Sequence, residues 1–303
     1  MEGHMVVLRP VRPYSKPKVG IWLSVVEPDQ LVGFAQDAEL AGCDSVWVPE
    51  HLIWPDVIRS KYPYRDDGAP PVPSAVNLYD PWVLLGGVAS KTTTIRLGTC
   101  VYVLPLRDPL VTARAVATLD ILSGGRVILG AGLGWMAEEF AAAGIDFRTR
   151  AARCDEIVPV LRSLWSNEIT SSNGRFVKLP PVHFNPKPPR GAKLPIVFGG
   201  ESEHALRRAA RLGNGWLGTW HTPESTRDVV ARIGSYLAEY GRGDEDFEIT
   251  VMVSPREVTE QVVVDFYQAG ADRICVGSPR APLRVWPEVL EKLGTVLQSP
   301  ALR

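Results

Sequence analysis

Histidine, cysteine and methionine are scarce in this sequence: five, four and four residues of 303. The four cysteines, Cys43, Cys100, Cys154 and Cys275, never fall in C-x-x-C spacing. Neither a zinc knuckle nor a dithiol redox pair is therefore encoded, and buried free thiols in a reducing compartment are expected. No histidine sits in an H-x-H or H-E-x-x-H arrangement, so no metal site is expected. A G-x-S-x-G nucleophile elbow and a P-loop are both absent. Neither sign of charge is in excess, with 33 Lys and Arg against 34 Asp and Glu. That balance gives no reason to expect nucleic acid or an anionic membrane surface as a partner. No apolar run approaches the roughly 20 residues that span a bilayer. A basic n-region followed by an apolar h-region is lacking, so a cytoplasmic location is expected.

What is present is alternation. Short β-branched and aromatic runs are separated by stretches with helical spacing from about residue 19 to residue 297. Strands are expected at 19–23, 44–49, 95–103, 126–130, 194–198, 215–220, 247–253 and 272–277. Helices are expected at 28–41, 79–89, 109–122, 135–143, 151–165, 202–212, 223–240, 255–269 and 283–297. The centre of the pattern is 95–135, a strand, helix, strand and glycine-rich turn that together form a right-handed βαβ unit. Asp108 and Pro109 suit the start of its helix, and Ser123-Gly124-Gly125 suits its end. That helix has few polar residues on any face, so both its sides should be covered. One side should lie on the sheet, and the other on a second subunit or a neighbouring helix.

About eight strands alternating with helices is the count of a TIM (β/α)8 barrel; a doubly wound sheet is the competing architecture. A single domain over 1–303 is expected, with insertions at about 52–78 and 166–193. The first insertion is a long Pro- and Tyr-rich loop, and loops of that length are usually functional. The second carries Asn173-Gly174 between two extended runs, which reads as a hairpin.

In a parallel barrel the chemistry lies at the C-terminal ends of the strands. That rule selects Trp22-Leu23, Glu50-His51, 100–103, 132–135, 199–202 and 219–221. Gly199 and Gly200 follow a strand, and Ser202 can cap the next helix; exposed N–H groups and the helix dipole meet at one point. This is either a phosphate cradle or a plain strand-to-helix turn, and the frequency of phosphate sites at this place in barrels favours the cradle. Residues 132–137 fit G-x-G-x-x-A, beginning at Gly132. The acids at Rossmann distance, Asp155 and Glu156, fall inside a helix, so that reading is rejected. His51 can act as general acid or base, hydrogen-bond a cofactor ring, or serve as a structural strand-end histidine. Trp22, Trp135 and Trp220 stand at strand tips, where a flat ring could stack.

Three segments carry a family likeness: AGCDSVWVPEHL at 41–52, the run 95–147 with LDILSGGR and GAGLGW, and PIVFGGESEHALRRAARLGNGW at 195–216. The chain resembles the luciferase-like monooxygenase superfamily, and within it the branch that uses the deazaflavin F420. The resemblance implies a TIM barrel with insertions, often a homodimer. It also implies a non-proline cis peptide within 99–101, bulging toward the cofactor ring. It aligns Glu50 and His51 with the family's acid–histidine pair, Gly199 and Gly200 with its phosphate glycines, and Thr219 with a hydroxyl on the following strand. One position departs: F420-dependent sugar-phosphate dehydrogenases carry a catalytic glutamate where this chain has Leu133, which argues against a sugar phosphate.

The resulting expectation is an F420-dependent oxidoreductase acting on a small organic molecule. His51 moves a proton or bonds the ring, and Glu50 orients it. Cys100, Val101, Gly132 and Trp135 pack on the ring. Gly199, Gly200, Ser202 and Thr219 hold the phosphate side, and Arg59, Lys61 and Arg65 are candidates to meet the cofactor's acidic tail. The alternatives are an FMN-dependent monooxygenase supplied with reduced flavin by a partner reductase, and a non-catalytic flavin-binding relative.

Overall fold

The computed structural model describes residues 17–23, 27–72, 77–278, 283–299 and 302. Residues 1–16 of the expected domain and 73–76 of the first insertion lie outside the described residues. Eleven strands follow one another along the described chain: β1 (Lys18–Trp22), β2 (Ser45–Val48), β3 (Arg96–Thr99), β4 (Tyr102–Val103), β5 (Val127–Gly132), β6 (Ile169–Asn173), β7 (Lys178–His183), β8 (Ile196–Gly199), β9 (Gly215–Gly218), β10 (Glu248–Val253) and β11 (Arg273–Gly277). The helices are α1 (Pro28–Leu40), α2 (Pro81–Ala89), α3 (Pro109–Leu122), α4 (Ala137–Ala142), α5 (Arg150–Ser166), α6 (Glu203–Leu212), α7 (Pro223–Glu239), α8 (Glu260–Gln268) and α9 (Trp286–Gln298).

All pairings but β6–β7 are parallel, and the ring β1-β2-β3/β4-β5-β8-β9-β10-β11 closes through β11 onto β1. β3 and β4 form one rung, interrupted by a cis peptide between Cys100 and Val101. The expected TIM barrel is therefore found, with the hairpin β6–β7 as its second insertion.

The barrel interior is filled chiefly by one side chain. Trp47 on β2 is fully buried and packs with Ile128, Val197, Leu217, Met252 and Cys275 from five other strands. The neighbouring strands make room for its indole. A Cβ on Gly98 would lie 2.3 Å from the Trp47 ring, and one on Gly20 would lie 2.8 Å from its Nε1. Below it, Arg273 closes the N-terminal end of the barrel. Its guanidinium is 5.6 Å from the Trp47 ring centroid and is paired with Asp44 and Glu248. Burial pushes the Glu248 carboxyl up, but Arg273 and Lys18 outweigh it and hold it at about 2. A second, larger apolar layer lies between the strands and the surrounding helices.

The LDILSGGR run proves to be a fastener. Arg126 donates to Ser123 O at 2.7 Å, Thr92 Oγ1 at 2.9 Å, Ile95 O at 2.8 Å, and Ala89 O and Thr92 O at 3.0 Å. Apart from Ser123 at the end of α3, these acceptors are the end of α2 and the turn into β3, so one buried cation satisfies a segment that has no ladder of its own. Asp120, fully buried, accepts from Val127 N at 3.2 Å and from Arg190 at 2.7 Å, tying the second insertion to the barrel wall.

Helix starts follow their caps. Asp80, Asp108, Ser202, Thr222 and Thr259 each accept a backbone N–H of the first turn. Three expected boundaries are corrected. The helix expected at 255–269 begins at Glu260, because Thr259 is the residue that caps it. The helix expected at 135–143 begins at Ala137. The strand expected at 215–220 stops at Gly218, and Trp220 turns to φ +60°.

Gly98→Ala should destabilise the chain by about 1–3 kcal/mol through overpacking against Trp47. Gly33→Ala should stabilise it by about 0.5–1 kcal/mol: Gly33 is exposed in α1, and nothing lies within 4 Å of its added Cβ. Urea unfolding of both variants checks this, and equal effects would refute the packing account.

Candidate active site

A cavity of about 680 Å³ opens at the C-terminal ends of the strands. Glu50, His51, Cys100, Val101, Gly132, Trp135, Gly199, Gly200, Ser202 and Thr219 all line it, so the structure brings the expected set together on one face. Trp22 and Trp220 join them, as does Leu133.

Its floor is the Cys100–Val101 bulge. The Val101 side chain fills the space above two glycines: a Cβ on Gly132 would lie 2.3 Å from Val101 Cγ2, and one on Gly199 would lie 3.0 Å from Cγ1. Burial pushes the Cys100 thiol up to about 12, so it stays protonated and is a packing group rather than a nucleophile.

The acid–histidine pair is corrected. Glu50 does not orient His51. Its carboxylate, 5% exposed, accepts Val103 N–H at 2.7 Å and pairs with Arg107. Burial raises its pKa, against the pull of Arg107 and the Val103 N–H. Glu50 thus ties the end of β2 to β4 across the bulge. The partner of His51 is Glu139 of α4, fully buried, with Oε2 at 3.1 Å from Nδ1 and Oε1 accepting Leu52 N–H at 2.5 Å. A carboxylate accepts only, so Nδ1 carries the proton and Nε2 is the nitrogen left for exchange. The ring also meets Trp54 edge-on at 5.1 Å and Trp135 at 6.1 Å.

Glu138 does the same for the next part of the loop, accepting Arg59 N–H at 2.7 Å and Ser60 Oγ–H at 2.7 Å. Two consecutive glutamates thereby dock the first insertion onto α4. The loop delivers Trp54, Tyr62 and Tyr64 to the cavity wall.

At the other end lies the glycine cradle. Gly200 has φ +118°, Ser202 Oγ accepts Ala205 N–H at 3.2 Å, and α6 points its first turn at the same place. Arg150, the first residue of α5, lines the cavity there. Among the described residues no carboxylate pairs with it, and its buried Nε has no partner. Burial and the nearby Arg208 cation both disfavour its charge, a balance that an anion in the cavity would reverse. The three expected basic residues are not in the lining: Arg65 is paired with Asp67 at 2.5 Å, and Arg59 and Lys61 lie on the exposed side of the loop. Sequence reasoning gave no role to Glu201, inside the selected tip 199–202, which accepts Thr219 N–H at 2.7 Å and meets His221 Nε2 at 2.8 Å. Only their position in or after selected strand tips pointed to Glu139, Arg150 and Glu201.

A closed parallel barrel with one deep cavity at its strand tips, a glycine anion cradle and a fixed histidine is the architecture of a cofactor-binding (β/α)8 enzyme. The family model for luciferase-like monooxygenases matches residues 1–273, and the chain belongs to that family. It is 31% identical over 268 residues to an uncharacterized protein of Mycobacterium tuberculosis, covering 88% of this chain and 91% of that one. It is 32% identical over 210 residues to the F420-dependent glucose-6-phosphate dehydrogenase of Amycolatopsis mediterranei, covering 67% and 57%. Among solved structures, an F420-dependent secondary alcohol dehydrogenase with an F420–acetone adduct superposes with a TM-score of 0.76 at 19% identity, over 95% of this chain and 99% of that one. The long-chain alkane monooxygenase LadA superposes with 0.74 at 14% identity, over 94% and 92%. No helix among the described residues is long and apolar enough to cross a membrane, and no metal-ligating cluster occurs among them.

Glu139→Ala should cost about 1–3 kcal/mol, the penalty for leaving buried donors unpaired. It should also speed proteolytic cleavage within 52–72. Limited proteolysis beside urea unfolding reads both, and a loop as resistant as the parent's would refute the docking role.

Proposed function

We propose that this chain is an F420-dependent oxidoreductase that moves hydride between the deazaflavin and a small organic substrate. The observation that carries this reading is the pairing of an anion end with a fixed histidine in one cavity. Gly199, Gly200, Ser202, Thr219 and Arg150 would hold the phosphate, while Cys100, Val101, Gly132 and Trp135 would pack on the ring. Glycine at 132 and 199 lets the Val101 side chain lie down on the barrel, where a Cβ at either position would push it up into the cavity, and Arg150 supplies a donor without a partner; the residues fit the group. Bound there, the deazaflavin supplies or accepts a hydride, and does so without needing oxygen.

The chain's own part is positioning and proton transfer. Glu139 fixes the His51 tautomer, so Nε2 can take a proton from a substrate hydroxyl or, when protonated, give one to a forming alkoxide. Trp54, Tyr62 and Trp135 exclude water around it, which strengthens each polar contact inside. On the opposite arc of the ring, Trp22, Leu23, Leu31 and Leu84 line the cavity. Glu27, the acid on that side, is taken up by Tyr79 at 2.5 Å and Asn77 at 2.8 Å. That arc suits an uncharged, apolar substrate, in keeping with Leu133 replacing the sugar-phosphate enzymes' glutamate.

The protein acts as one barrel domain and pairs with a second copy. Val83 of α2 and Val111 and Leu122 of α3 are 75%, 67% and 71% exposed, on helices that pack against one another. The other face of α3 is buried on the barrel.

F420 added to the purified protein should quench tryptophan fluorescence at micromolar concentration, and FMN should do so weakly. Tight FMN binding with no response to F420 would transfer the reading to an FMN-dependent monooxygenase. His51→Ala should lower kcat about 100- to 10,000-fold with F420 still bound, and Arg150→Met should raise the F420 Kd about tenfold or more. A parent that binds F420 yet turns over no ketone, alcohol or activated alkene would point to the non-catalytic relative.

For the pairing, light scattering should give a dimer for the parent and a monomer for the Val83→Glu, Val111→Glu double variant. A monomeric parent would remove the dimer.

A further inference from the structure

We infer that Glu201 is a positioning residue whose carboxylate holds Trp220 as a wall at the anion end of the cavity, and that the Trp220 ring sets affinity for what binds there. The second half rests on the F420 reading; the first does not. Trp220 is the one non-glycine residue with positive φ among the described residues, at +60°. Bulky residues avoid that region because Cβ crowds a carbonyl oxygen, and one that occupies it is held there by its surroundings.

The holding groups can be named. Glu201 Oε1 accepts Thr219 N–H at 2.7 Å, and Oε2 lies 2.8 Å from His221 Nε2. One carboxylate thus grips the residue before Trp220 and the residue after it. His221 is fixed in turn: Nδ1 is 3.0 Å from Ser225 Oγ, and Ser225 belongs to the capping box that starts α7. The His221 ring also stands edge-on to Trp216 at 5.2 Å. Trp216, fully buried, donates Nε1–H to Gly200 O at 2.8 Å. The segment leaving β8 and the segment leaving β9 are therefore bound to each other at three points, with Trp220 at the apex.

Nothing in that frame uses the indole. Glycine at 220 would take the same backbone angles without the Cβ conflict. The ring instead lines the cavity and remains 41% exposed, the largest apolar exposure on this wall. It lines the same cavity as Thr219 and the Gly199–Ser202 cradle, and Glu201 of that cradle bonds the residues on either side of it, so on the F420 reading the ring would meet the cofactor near its phosphate. A flat aromatic face there contributes contact area at little entropic cost, because its backbone is already held.

The test uses the full chain labelled with 5-fluorotryptophan, with the Trp220 fluorine resonance assigned by its loss in Trp220→Phe. Without any cofactor, Glu201→Ala should shift and broaden that resonance. Glu201→Gln, which keeps an acceptor for Thr219 N–H, should move it less. Trp220→Gly should unfold at no lower urea concentration than the parent, yet raise the Kd for F420 about tenfold or more, and Trp220→Phe should recover most of that loss. A resonance unmoved by Glu201→Ala overturns the positioning role. A parent that binds F420 and a Trp220→Gly variant that binds it equally well overturn the role of the ring. A parent that binds neither F420 nor FMN removes the functional reading and the ring's role with it, while the resonance still decides the positioning role.

Discussion

The structure depends on how one tryptophan fills a closed ring of strands. Eight strands leave an interior just wide enough for side chains, and a packed interior is what keeps such a barrel from being a pore. Here β2 contributes an indole, and β1 and β3 answer with Gly20 and Gly98, where any Cβ would collide with it. Large and small residues are thus matched across strands that are distant in sequence. Removing a buried indole costs about 3–5 kcal/mol by the usual cavity argument, a large share of the net stability of a domain. Beneath it the Arg273 ion-pair cluster closes the barrel end. Above it the next layer is Cys100, Leu217 and Met252, the lower boundary of the cavity. The cavity's depth is set by where the filling stops.

Function is then laid on this floor by loops tied down with carboxylates. Glu50 braces β2 against β4, Glu138 and Glu139 dock the first insertion onto α4, and Glu201 joins the β8 and β9 tips. Each accepts at least one backbone N–H, Glu50 from strand β4 and the others from loops beyond the strands. Carboxylate acceptors suit this task because a single side chain can satisfy two donors, and a buried donor left unpaired is costly. Glu138 and Glu139 stay out of the lining and leave a histidine and aromatic rings facing the cavity, whereas Glu50 and Glu201 line it themselves.

The elements that could be read in the sequence are those whose signals are local. Helix starts at Asp80, Asp108 and Ser202 follow from the cap residue itself. The strand tips follow from alternation, and the tips with the family motifs gave the lining. What could not be read is pairing at long range. Glu50 is adjacent to His51 in sequence, and adjacency suggested a partnership. Both lie past the end of β2, where the chain leaves the sheet, and the two residues find different partners: Arg107 for one and Glu139, 88 residues on, for the other. Arg150 was hidden in the same way, as one arginine among several around the start of a helix. Its distinction is the absence of a carboxylate beside it, a property of space and not of spacing. Trp220 was placed at a strand tip correctly, but its backbone angle has no sequence signal: the groups on either side of it are held by Glu201, nineteen residues earlier.

The charges around the cavity are sorted by ring position, and this bears on what the site can accept. Glu50 is neutralised by Arg107, and Glu27 is occupied by Tyr79 and Asn77. Glu201 is turned toward Thr219 N–H and His221, so its charge is partly met. That leaves Arg150 as the cation of the lining without a carboxylate partner, held by Phe147 O and the Phe147 ring at the start of α5, which follows β5, on the side of the ring next to the glycine cradle. Two unit charges 4 Å apart attract by about 4 kcal/mol at an effective dielectric of 20, so an anion gains most at that end. No comparable cation lines the β1 arc across the ring, and a charged group brought there would lose its hydration without compensation. The cavity lining therefore has a polarity of its own: its cation and glycine amides lie on one arc and its leucines on the other, while His51, three residues past the end of β2, has Nδ1 held by Glu139. On the proposed F420 reading, a cofactor lying the other way round would put its phosphate against leucine and away from Arg150, so this sorting of charge is what would set the direction in which it enters.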